Sequence, residues 1–219
     1  MLRVLSFNIQ WHKENTWDSL SHIIDLMDPD MVFLQEVQRD AKRDMPALLQ
    51  NKFSKYMYVH YSHVFNYQND YGKWRIDSNS IEEWLCVMSK EKIVIEYIEL
   101  PIMPWIDRRP RGLQYVHIEN KKISHIHLSK IEKSRSLQRQ GIPPSDMIIG
   151  DFNMQPQELS TYGWSAYAIA YQKYPYISYP SKKLTLDHCL IKGWSFESVV
   201  ALENDISDHN AIFYTIVFE

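Results

Sequence analysis

The sequence predicts an α/β fold in which two packed β-sheets carry helices on their outer faces. Three observations lead to this prediction: many short apolar runs with strand character, a few helical patterns between them, and a length of 219 residues that supports one large core. We expect a single domain over residues 1–219, because no linker, repeat or low-complexity tract divides the chain.

Eight runs have the composition of β-strands. Each is rich in β-branched, aromatic or aliphatic residues and is bounded by turn or charged residues. These runs are Leu2–Ile9, Met31–Glu36, Trp84–Ser89, Leu113–Ile118, Ile123–Leu128, Met147–Gly150, Thr185–Ile191 and Ala211–Phe218. The polar stretch of residues 119–122 between two of them is typical of a hairpin turn.

Helical periodicity is clearest over Trp17–Met27, whose apolar residues share one face: Leu20, Ile23, Ile24 and Met27. The following Asp28-Pro29-Asp30 predicts the end of that helix. Shorter patterns predict helices over Ala41–Phe53, Ile131–Gln140 and Gln157–Tyr171. By contrast, Tyr56–Trp74 is crowded with Tyr, His and Asn and lacks periodicity, so we expect a long loop there.

Composition and charge exclude several classes of protein. Hydrophobic residues make up 45% of the chain and the net charge is −3, which excludes a mainly disordered chain and argues against a protein that coats DNA. No apolar run approaches the roughly 18 residues of a membrane-spanning helix, and we expect no signal peptide in the first eight residues because they turn polar early. The two cysteines, Cys86 and Cys189, make no disulfide framework. We expect a cytoplasmic monomer with two buried thiols.

Polar side chains stand at the ends of the apolar runs, where packing alone does not explain them. They are Asn8, Glu36, His127, Asp151, Asn153, Asp187, Asp208 and His209. Carboxylate and amide oxygens suit Mg²⁺ or Mn²⁺, and histidine supplies acid–base chemistry near neutral pH. This set of residue types predicts metal-assisted phosphoryl transfer.

The ordered segments around these residues resemble the endonuclease/exonuclease/phosphatase superfamily, which includes deoxyribonuclease I, exonuclease III, neutral sphingomyelinases and inositol polyphosphate phosphatases. The matching segments are Ser6–Ile9, Leu34–Val37, Glu83–Lys90, His125–Leu128, Gly150–Asn153, Leu186–His188 and Ser207–His209. Each alone is a weak signal, whereas the ordered set is specific. The resemblance implies a four-layer α/β/β/α sandwich with two mainly antiparallel β-sheets, as in deoxyribonuclease I, with its site at one end.

The resemblance also implies a role for each matching residue. Glu36 would be the principal Mg²⁺ ligand, helped by Asn8 and Asp208. Asp151 would orient or deprotonate the attacking water, and Asn153 would hold that water or a phosphate oxygen.

The two histidines of the set complete the implied chemistry. Asp187 would pair with His209 and fix its tautomer, and His209 would contact the phosphate or assist proton transfer. His127 would stabilise the phosphate or protonate the leaving oxygen. The implied reaction is in-line attack of water on a phosphodiester, with Mg²⁺ neutralising the developing charge.

The chain departs from the family pattern at two positions. Gln10 and Trp11 follow Asn8, where many relatives carry an acidic residue, so a second metal ligand is not expected there. Trp84 follows Glu83 where glycine is common, which predicts a large ring beside the cleft.

Two neighbouring histidines have simpler interpretations. His125 and His127 lie two apart on a strand and share a face, an arrangement that can bind Zn²⁺, but the sequence offers no obvious third soft ligand. We therefore expect His125 to be packed or hydrogen-bonded. His188 should point to the strand face opposite Asp187, and we expect a structural role.

Substrate contacts are predicted only in outline. Two basic clusters are either solvated surface or contacts to a polyanionic backbone. The first is Arg108, Arg109 and Arg111, and the second is Lys130, Lys133, Arg135 and Arg139. Several aromatic residues are candidates either for base stacking or for packing: Trp11, Tyr67, Tyr71, Trp74 and Trp105. Among all of these, Trp11, Arg109 and Arg111 are the predicted substrate-binding residues.

Three functions compete at this level. The first is a Mg²⁺-dependent phosphodiesterase acting on nucleic acid, with DNA favoured over RNA, as an endonuclease or exonuclease. The second is a lipid or small-molecule phosphoesterase, for which Lys182 and Lys183 would supply pocket charge. The third is a non-catalytic binding module on the same fold, and the intact residue set argues against it.

Overall fold

The computed structural model describes residues 1–10, 16–39, 50–66, 82–107 and 109–218. Within these ranges the strands form two sheets of six. They are β1 Leu2–Asn8, β2 Met31–Arg39, β3 Tyr58–Asn66, β4 Glu82–Ser89, β5 Val94–Leu100, β6 Arg111–Ile118, β7 Lys121–His127, β8 Met147–Asp151, β9 Ala168–Ile169, β10 Asp187–Ile191, β11 Trp194–Leu202 and β12 Ala211–Phe218.

The helices are few and mostly short. They are α1 Thr16–Met27, α2 Glu132–Gln140, α3 Pro156–Thr161 and α4 Ala170–Lys173, with a 3₁₀ turn at Pro180–Lys182. None of these helices is long and apolar enough to cross a membrane.

The first sheet has the strand order β11-β12-β1-β2-β4-β3, and the second has the order β5-β6-β7-β8-β10-β9. Each sheet contains one parallel pair, β1 with β2 and β7 with β8, and its other pairs are antiparallel. The turn at residues 119–120 joins β6 to the antiparallel β7, as the hairpin prediction requires. The prediction of two mainly antiparallel sheets is confirmed.

Alternate residues of the interior strands face opposite layers. Val4 and Phe33 point into the core between the sheets, where they meet Ile149 of the second sheet. Their neighbours Leu5 and Val32 point to the outer face of the first sheet. Because both faces are covered, the interior strands are apolar on both sides.

Helices cover both outer faces. Leu20 and Ile24 of α1 are fully buried in the cluster that contains Leu5 and Val32. On the other side, Leu159 of α3 packs in a cluster with residues of the second sheet, including Ile126, Ile148 and Leu190. The layers therefore run helix, sheet, sheet, helix, and the predicted four-layer sandwich is confirmed.

The eight predicted strands are the eight interior strands, and all four edge strands were missed. Tyr56–Trp74 is not one long loop, because Tyr58–Asn66 forms β3 and pairs with β4. Residues 67–74 lie outside the described ranges. The other edges, β5, β9 and β11, carry charged or exposed residues along the strand or are only two residues long. An edge strand needs backbone pairing on one side only, so its side chains lack a strong apolar signal.

Two helix predictions need correction or restriction. The pattern over Gln157–Tyr171 forms two separate helices, α3 and α4, because Gly163 has a φ of 78° and ends the first. Of Ala41–Phe53, residues 41–49 lie outside the described ranges, and residues 50–52 are helical. The predictions for α1 and α2 are confirmed within one residue.

A buried polar chain links the two sheets. Gln35 on β2 donates from Nε2 to Nε2 of His125 at 2.7 Å, so the opposite ring nitrogen, Nδ1, carries the proton and donates to Oε1 of Gln114 at 2.9 Å. Gln114 in turn donates to Ser62 Oγ on β3 at 3.1 Å. Both ring nitrogens of His125 are occupied, which confirms its hydrogen-bonded role and leaves no nitrogen for zinc.

The other structural histidine lies on the opposite face of the second sheet. His188 donates from Nε2 to the carbonyl of Met154 at 2.8 Å, and its ring packs edge-on against Phe152. Its predicted structural role is confirmed. Burial lowers the pKa of His188 to about 4 and that of His125 to about 3. Cys86 and Cys189 are buried free thiols, as expected.

These two histidines should make stability fall on acidification. Their folded-state pKa values lie below the ordinary 6.5, so the unfolded chain binds more protons between those values. Their contribution to the free energy of unfolding is complete above pH 6.5 and is lost progressively as the pH falls toward the folded-state pKa values. We expect His188→Gln to reduce the slope of unfolding free energy against pH by up to about 1.4 kcal/mol per pH unit in that window.

Urea unfolding at a series of pH values measures this slope. His22→Gln, on the exposed side of α1, is the matched control and should keep the wild-type slope. An unchanged slope in His188→Gln would contradict the neutral, buried state of that ring.

Candidate active site

The two sheets meet at one end through the amide of Asn8. Asn8 ends β1, Glu36 lies on the neighbouring β2, and Asp151 ends β8 of the other sheet. The Nδ2 group of Asn8 donates to Glu36 Oε1 at 3.1 Å and to Asp151 Oδ2 at 3.1 Å. The structure thus brings together three predicted site residues that lie far apart in sequence.

Unusual backbone angles orient two of the site side chains, Glu36 and Asn153. Glu36 has a φ of 54°, and the pairing of β2 with β4 shifts register between Leu34 and Val37. Such a bulge redirects a side chain, and here Glu36 Oε1 lies 3.7 Å from His127 Nε2 while Gln35 remains in the core. Asn153 also has a positive φ, 51°, which is uncommon outside glycine.

Asn153 is held in place by the chain around it. Its backbone N–H donates to Asp151 Oδ1 at 2.8 Å, and its Nδ2 donates to the carbonyl of Leu128 at 2.8 Å. Asp151 therefore accepts one hydrogen bond on each carboxylate oxygen, from Asn8 and from Asn153.

Asp187 and His209 form a buried pair beside Asp151. His209 Nδ1 lies 2.7 Å from Asp187 Oδ2, so this nitrogen carries the proton and donates. Burial opposes charge on the ring, but the Asp187 carboxylate outweighs it and raises the pKa of His209 to about 10. The free Nε2 lies 4.0 Å from Asp151 Oδ2 and 3.8 Å from Asp208 Oδ1.

The loop before β10 supports this pair. Ser178 Oγ accepts hydrogen bonds from the backbone N–H groups of Leu186 and Asp187, which fixes the start of β10. The ring of Tyr179 lies 5.0 Å from that of His209, and Lys182 Nζ lies 5.7 Å from the Tyr179 ring centre.

His127 faces a second buried pair that the sequence reasoning did not assign. Arg111 Nη1 donates to Glu83 Oε1 at 3.0 Å, and both atoms lie about 3 Å from His127 Nδ1. Burial alone would raise the pKa of Glu83, but the Arg111 charge and the contact with His127 outweigh it and hold the pKa well below its usual range. Glu83 stands in the third segment of the family resemblance, and that position was the available signal.

His127 is thereby turned toward the other carboxylates. Its Nε2 lies 3.6 Å from Asp151 Oδ2, in addition to its approach to Glu36. One imidazole therefore contacts a buried ion pair through Nδ1 and the candidate site through Nε2.

The remaining predicted residues are placed as follows. Asp208 is partly exposed beside His209. Arg109 is half-buried, and its N–H donates to Asp107 Oδ1 at 3.1 Å, whereas Arg111 is buried. Several predicted contact residues lie outside the described ranges: Trp11, Tyr67, Tyr71, Trp74 and Arg108.

Other sequence expectations resolve differently. The expectation that Trp84 lies beside the cleft is wrong, because its ring packs on the outer face of the first sheet near Tyr61. Trp105 is 78% exposed. In the second basic cluster, Arg135 pairs with Glu158 at 2.9 Å and Lys130 is exposed.

Two groups of side chains could hold a divalent metal ion. The first is Glu36 with Asn8, and their oxygens suit a hard cation. In this structure Nδ2 of Asn8 faces the carboxylates of Glu36 and Asp151, and its Oδ1 accepts from the N–H of Gln10 at 3.3 Å, so the amide oxygen would have to turn toward the ion. The second consists of Asp151, Asp187 and His209, which offer ligand atoms within 4.8 Å of one another. The Asp187–His209 hydrogen bond already occupies one atom of each partner in the second set, although Asp187 Oδ1 has no hydrogen-bond partner among the described residues.

A family model for the Endonuclease/Exonuclease/phosphatase family matches residues 5–209. The chain belongs to that family. Members of the family are generally hydrolytic phosphoesterases and are typically dependent on a divalent metal. No curated protein sequence matches the chain.

Solved structures of family members share the fold. An endonuclease/exonuclease/phosphatase from Beutenbergia cavernae has a TM-score of 0.80 at 16% identity, over 99% of this chain and 71% of that one. The human Nocturnin catalytic domain with bound sulfate has a TM-score of 0.69 at 19% identity, over 100% and 93%. The D. rerio TDP2 complex with a single-strand DNA product has a TM-score of 0.63 at 16% identity, over 98% of each chain.

The Glu83–Arg111 pair should be strongly coupled in stability. Both side chains are almost fully buried, so Arg111→Met removes the cation that faces the buried Glu83 carboxylate and should cost about 3–5 kcal/mol. The double variant Glu83→Gln/Arg111→Met removes both charges and should recover most of that loss. A double-mutant cycle by urea unfolding measures the coupling.

The exposed pair Lys55–Asp25 provides the matched control, because its members are about a third and two thirds exposed. Its coupling should be at most about 1 kcal/mol. If the losses of unfolding free energy at Glu83 and Arg111 simply add in the double variant, the two side chains do not stabilise each other.

Proposed function

We propose that this chain is a Mg²⁺-dependent phosphodiesterase that hydrolyses nucleic acid, with DNA favoured over RNA as the substrate. The observation that carries the proposal is the Asn8 amide, which joins the carboxylates of Glu36 and Asp151 from two sheets. Beside them stands the Asp187–His209 pair. This combination of oxygen ligands, a candidate base and an oriented imidazole is what water attack on a phosphodiester requires.

In this proposal Glu36 would be the principal metal ligand, helped by Asn8 and Asp208. Bound there, Mg²⁺ would supply the charge that neutralises the developing negative charge on the phosphate. Asp151 orients the attacking water and accepts its proton, because hydrogen bonds from Asn8 and Asn153 fix its two oxygens in direction and leave acceptor capacity.

Both imidazoles act on the phosphate in this proposal. Asp187 holds the proton on His209 Nδ1 and leaves Nε2 directed toward Asp151 and Asp208, where it can contact a phosphate oxygen or transfer a proton. Glu83 and Arg111 contact Nδ1 of His127, and in this proposal its Nε2 stabilises the phosphate or protonates the leaving oxygen. Asn153 holds the water or a phosphate oxygen.

Nucleic acid is favoured over small phosphoesters for two reasons. The TDP2 relative is described in complex with a single-strand DNA product, which supports this substrate class for the shared fold. The cationic side chains of Arg109 and Lys130 line a surface pocket together with Arg111, which contacts His127 of the candidate site. There they can bind a polyanion.

A small-molecule phosphoester is the second candidate. Lys182 over the ring of Tyr179, which itself packs on His209, is the observation that favours it. Release of phosphate from inositol phosphates without cleavage of DNA or RNA would establish this candidate instead.

Nicking of supercoiled plasmid tests the proposal. With Mg²⁺, the wild type should nick, EDTA should abolish nicking, and Asp151→Asn should reduce the rate by about 100-fold or more because the base is lost without a change in shape. Asp25→Asn, an exposed carboxylate on α1, is the matched control and should nick like the wild type.

Two results would count against the proposal in different ways. Equal nicking by the wild type and Asp151→Asn would show that the site is wrongly assigned. Intact DNA and RNA after incubation with the wild type and Mg²⁺ would reject the nuclease activity itself.

A further inference from the structure

A pocket of about 420 Å³ lies beside the candidate active site, between the chain that leads into β6 and the chain that leads into α2. Its volume falls in the range of about 300–1,000 Å³ that is usual for small-ligand sites. Arg111 lines the pocket and also contacts His127, with Nη1 3.0 Å from Nδ1. The pocket and the candidate site therefore share one wall.

The side chains that line the pocket combine an aromatic face with positive charge. Trp105 is 78% exposed, so its indole contributes little to the core and is open to a ligand. Lys130 is exposed and Arg109 is half-buried on the same pocket. An exposed indole stacks on any nucleobase, and neighbouring cations bind the backbone phosphates.

The described lining contains one carboxylate, and the chain itself supplies a donor to each of its oxygens. Asp107 Oδ2 accepts from the hydroxyl of Ser129, and Oδ1 accepts from the backbone N–H of Arg109. Asp107 keeps its negative charge but is buried, whereas Lys130 on the same pocket is exposed. The buried Nε of Arg111 has no hydrogen-bond partner in the part of the chain that the structure describes, so this wall retains an unused donor.

The pocket walls are fixed before a ligand arrives. Ser129 Oγ accepts from the N–H of Ile131 at 2.9 Å, and Arg135 Nη1 donates to the carbonyl of Lys130 at 2.8 Å. These contacts tie the chain at Lys130 to the first turn of α2. A preformed site loses less entropy on binding.

We propose that this pocket is a nucleotide subsite for a single-stranded nucleic acid. The base of the nucleotide next to the scissile bond stacks on Trp105, and its phosphate lies between Arg109 and Lys130. Inside a duplex both faces of a base are stacked, so a base reaches the indole at the least cost from a single strand. This inference rests on the proposed nuclease function and adds to it the strand type and the contact residues.

Cleavage kinetics on a short single-stranded oligonucleotide test the subsite. Trp105→Ala should lower kcat/KM about tenfold, within the range seen for one lost base–aromatic stack, and Trp105→Phe should restore most of it. Lys130→Ala should raise KM and reduce the slope of log KM against log salt by about 1. Lys92→Ala, an exposed lysine between β4 and β5, is the matched control and should keep the wild-type kcat/KM.

A scan with abasic strands isolates the stacking contact. When the base that binds the pocket is missing, kcat/KM of the wild type should fall by the same factor of about ten. The kcat/KM of Trp105→Ala should not fall further on that abasic strand. If Trp105→Ala is impaired equally on every intact and abasic strand, stacking is rejected.

The remaining outcomes separate the two proposals. If the wild type cleaves the strand and neither Trp105→Ala nor Lys130→Ala changes kcat/KM, the subsite is rejected and the nuclease function stands. If the wild type cleaves no strand at all, the nuclease function fails and the subsite fails with it.

Discussion

Two carboxylates from different sheets approach one another where the apolar core ends, and each needs a donor there. Water reaches this place only in part, so unpaired charge would be costly. The Asn8 amide supplies a donor to both Glu36 and Asp151, and this contact joins the ends of β1, β2 and β8. The rest of the site is arranged around that contact.

The same requirement explains the polar groups behind the site. His125 accepts from Gln35 and donates to Gln114, so a neutral ring crosses the sheet interface with both nitrogens paired. The imidazoles nearer the site each contact a carboxylate, Glu83 for His127 and Asp187 for His209. These pairs orient the rings from behind and leave each Nε2 facing the candidate site.

The sequence predicted the interior of the fold much better than its edges. Interior strands such as β1 and β12 are covered on both faces, so they read as continuous apolar runs. Edge strands such as β3 and β5 have many half-buried or exposed side chains among those described, and they are defined by backbone pairing, which composition does not reveal. The helix predicted over Gln157–Tyr171 is interrupted at Gly163 because of one positive φ angle, and the spacing of apolar residues does not reveal that angle.

The candidate site was predictable because its residues end interior strands and match ordered family segments. Asn8, Asp151 and His209 converge as the resemblance implied. The partnership of Arg111 with Glu83 was not predictable, because no local pattern signals a contact between residues 28 positions apart on different sheets. The bulge at Glu36 likewise depends on the register of β2 with β4.

Binding of Mn²⁺, followed by electron paramagnetic resonance of the free ion, tests the central claim most directly. We expect the wild type and Asp25→Asn to bind the ion equally, and Glu36→Gln to bind it far more weakly because the principal oxygen ligand is lost. Asp187→Asn should retain binding, since Asp187 pairs with His209. Full binding by Glu36→Gln together with loss in Asp187→Asn would contradict the account and place the ion among Asp151, Asp187 and His209 instead.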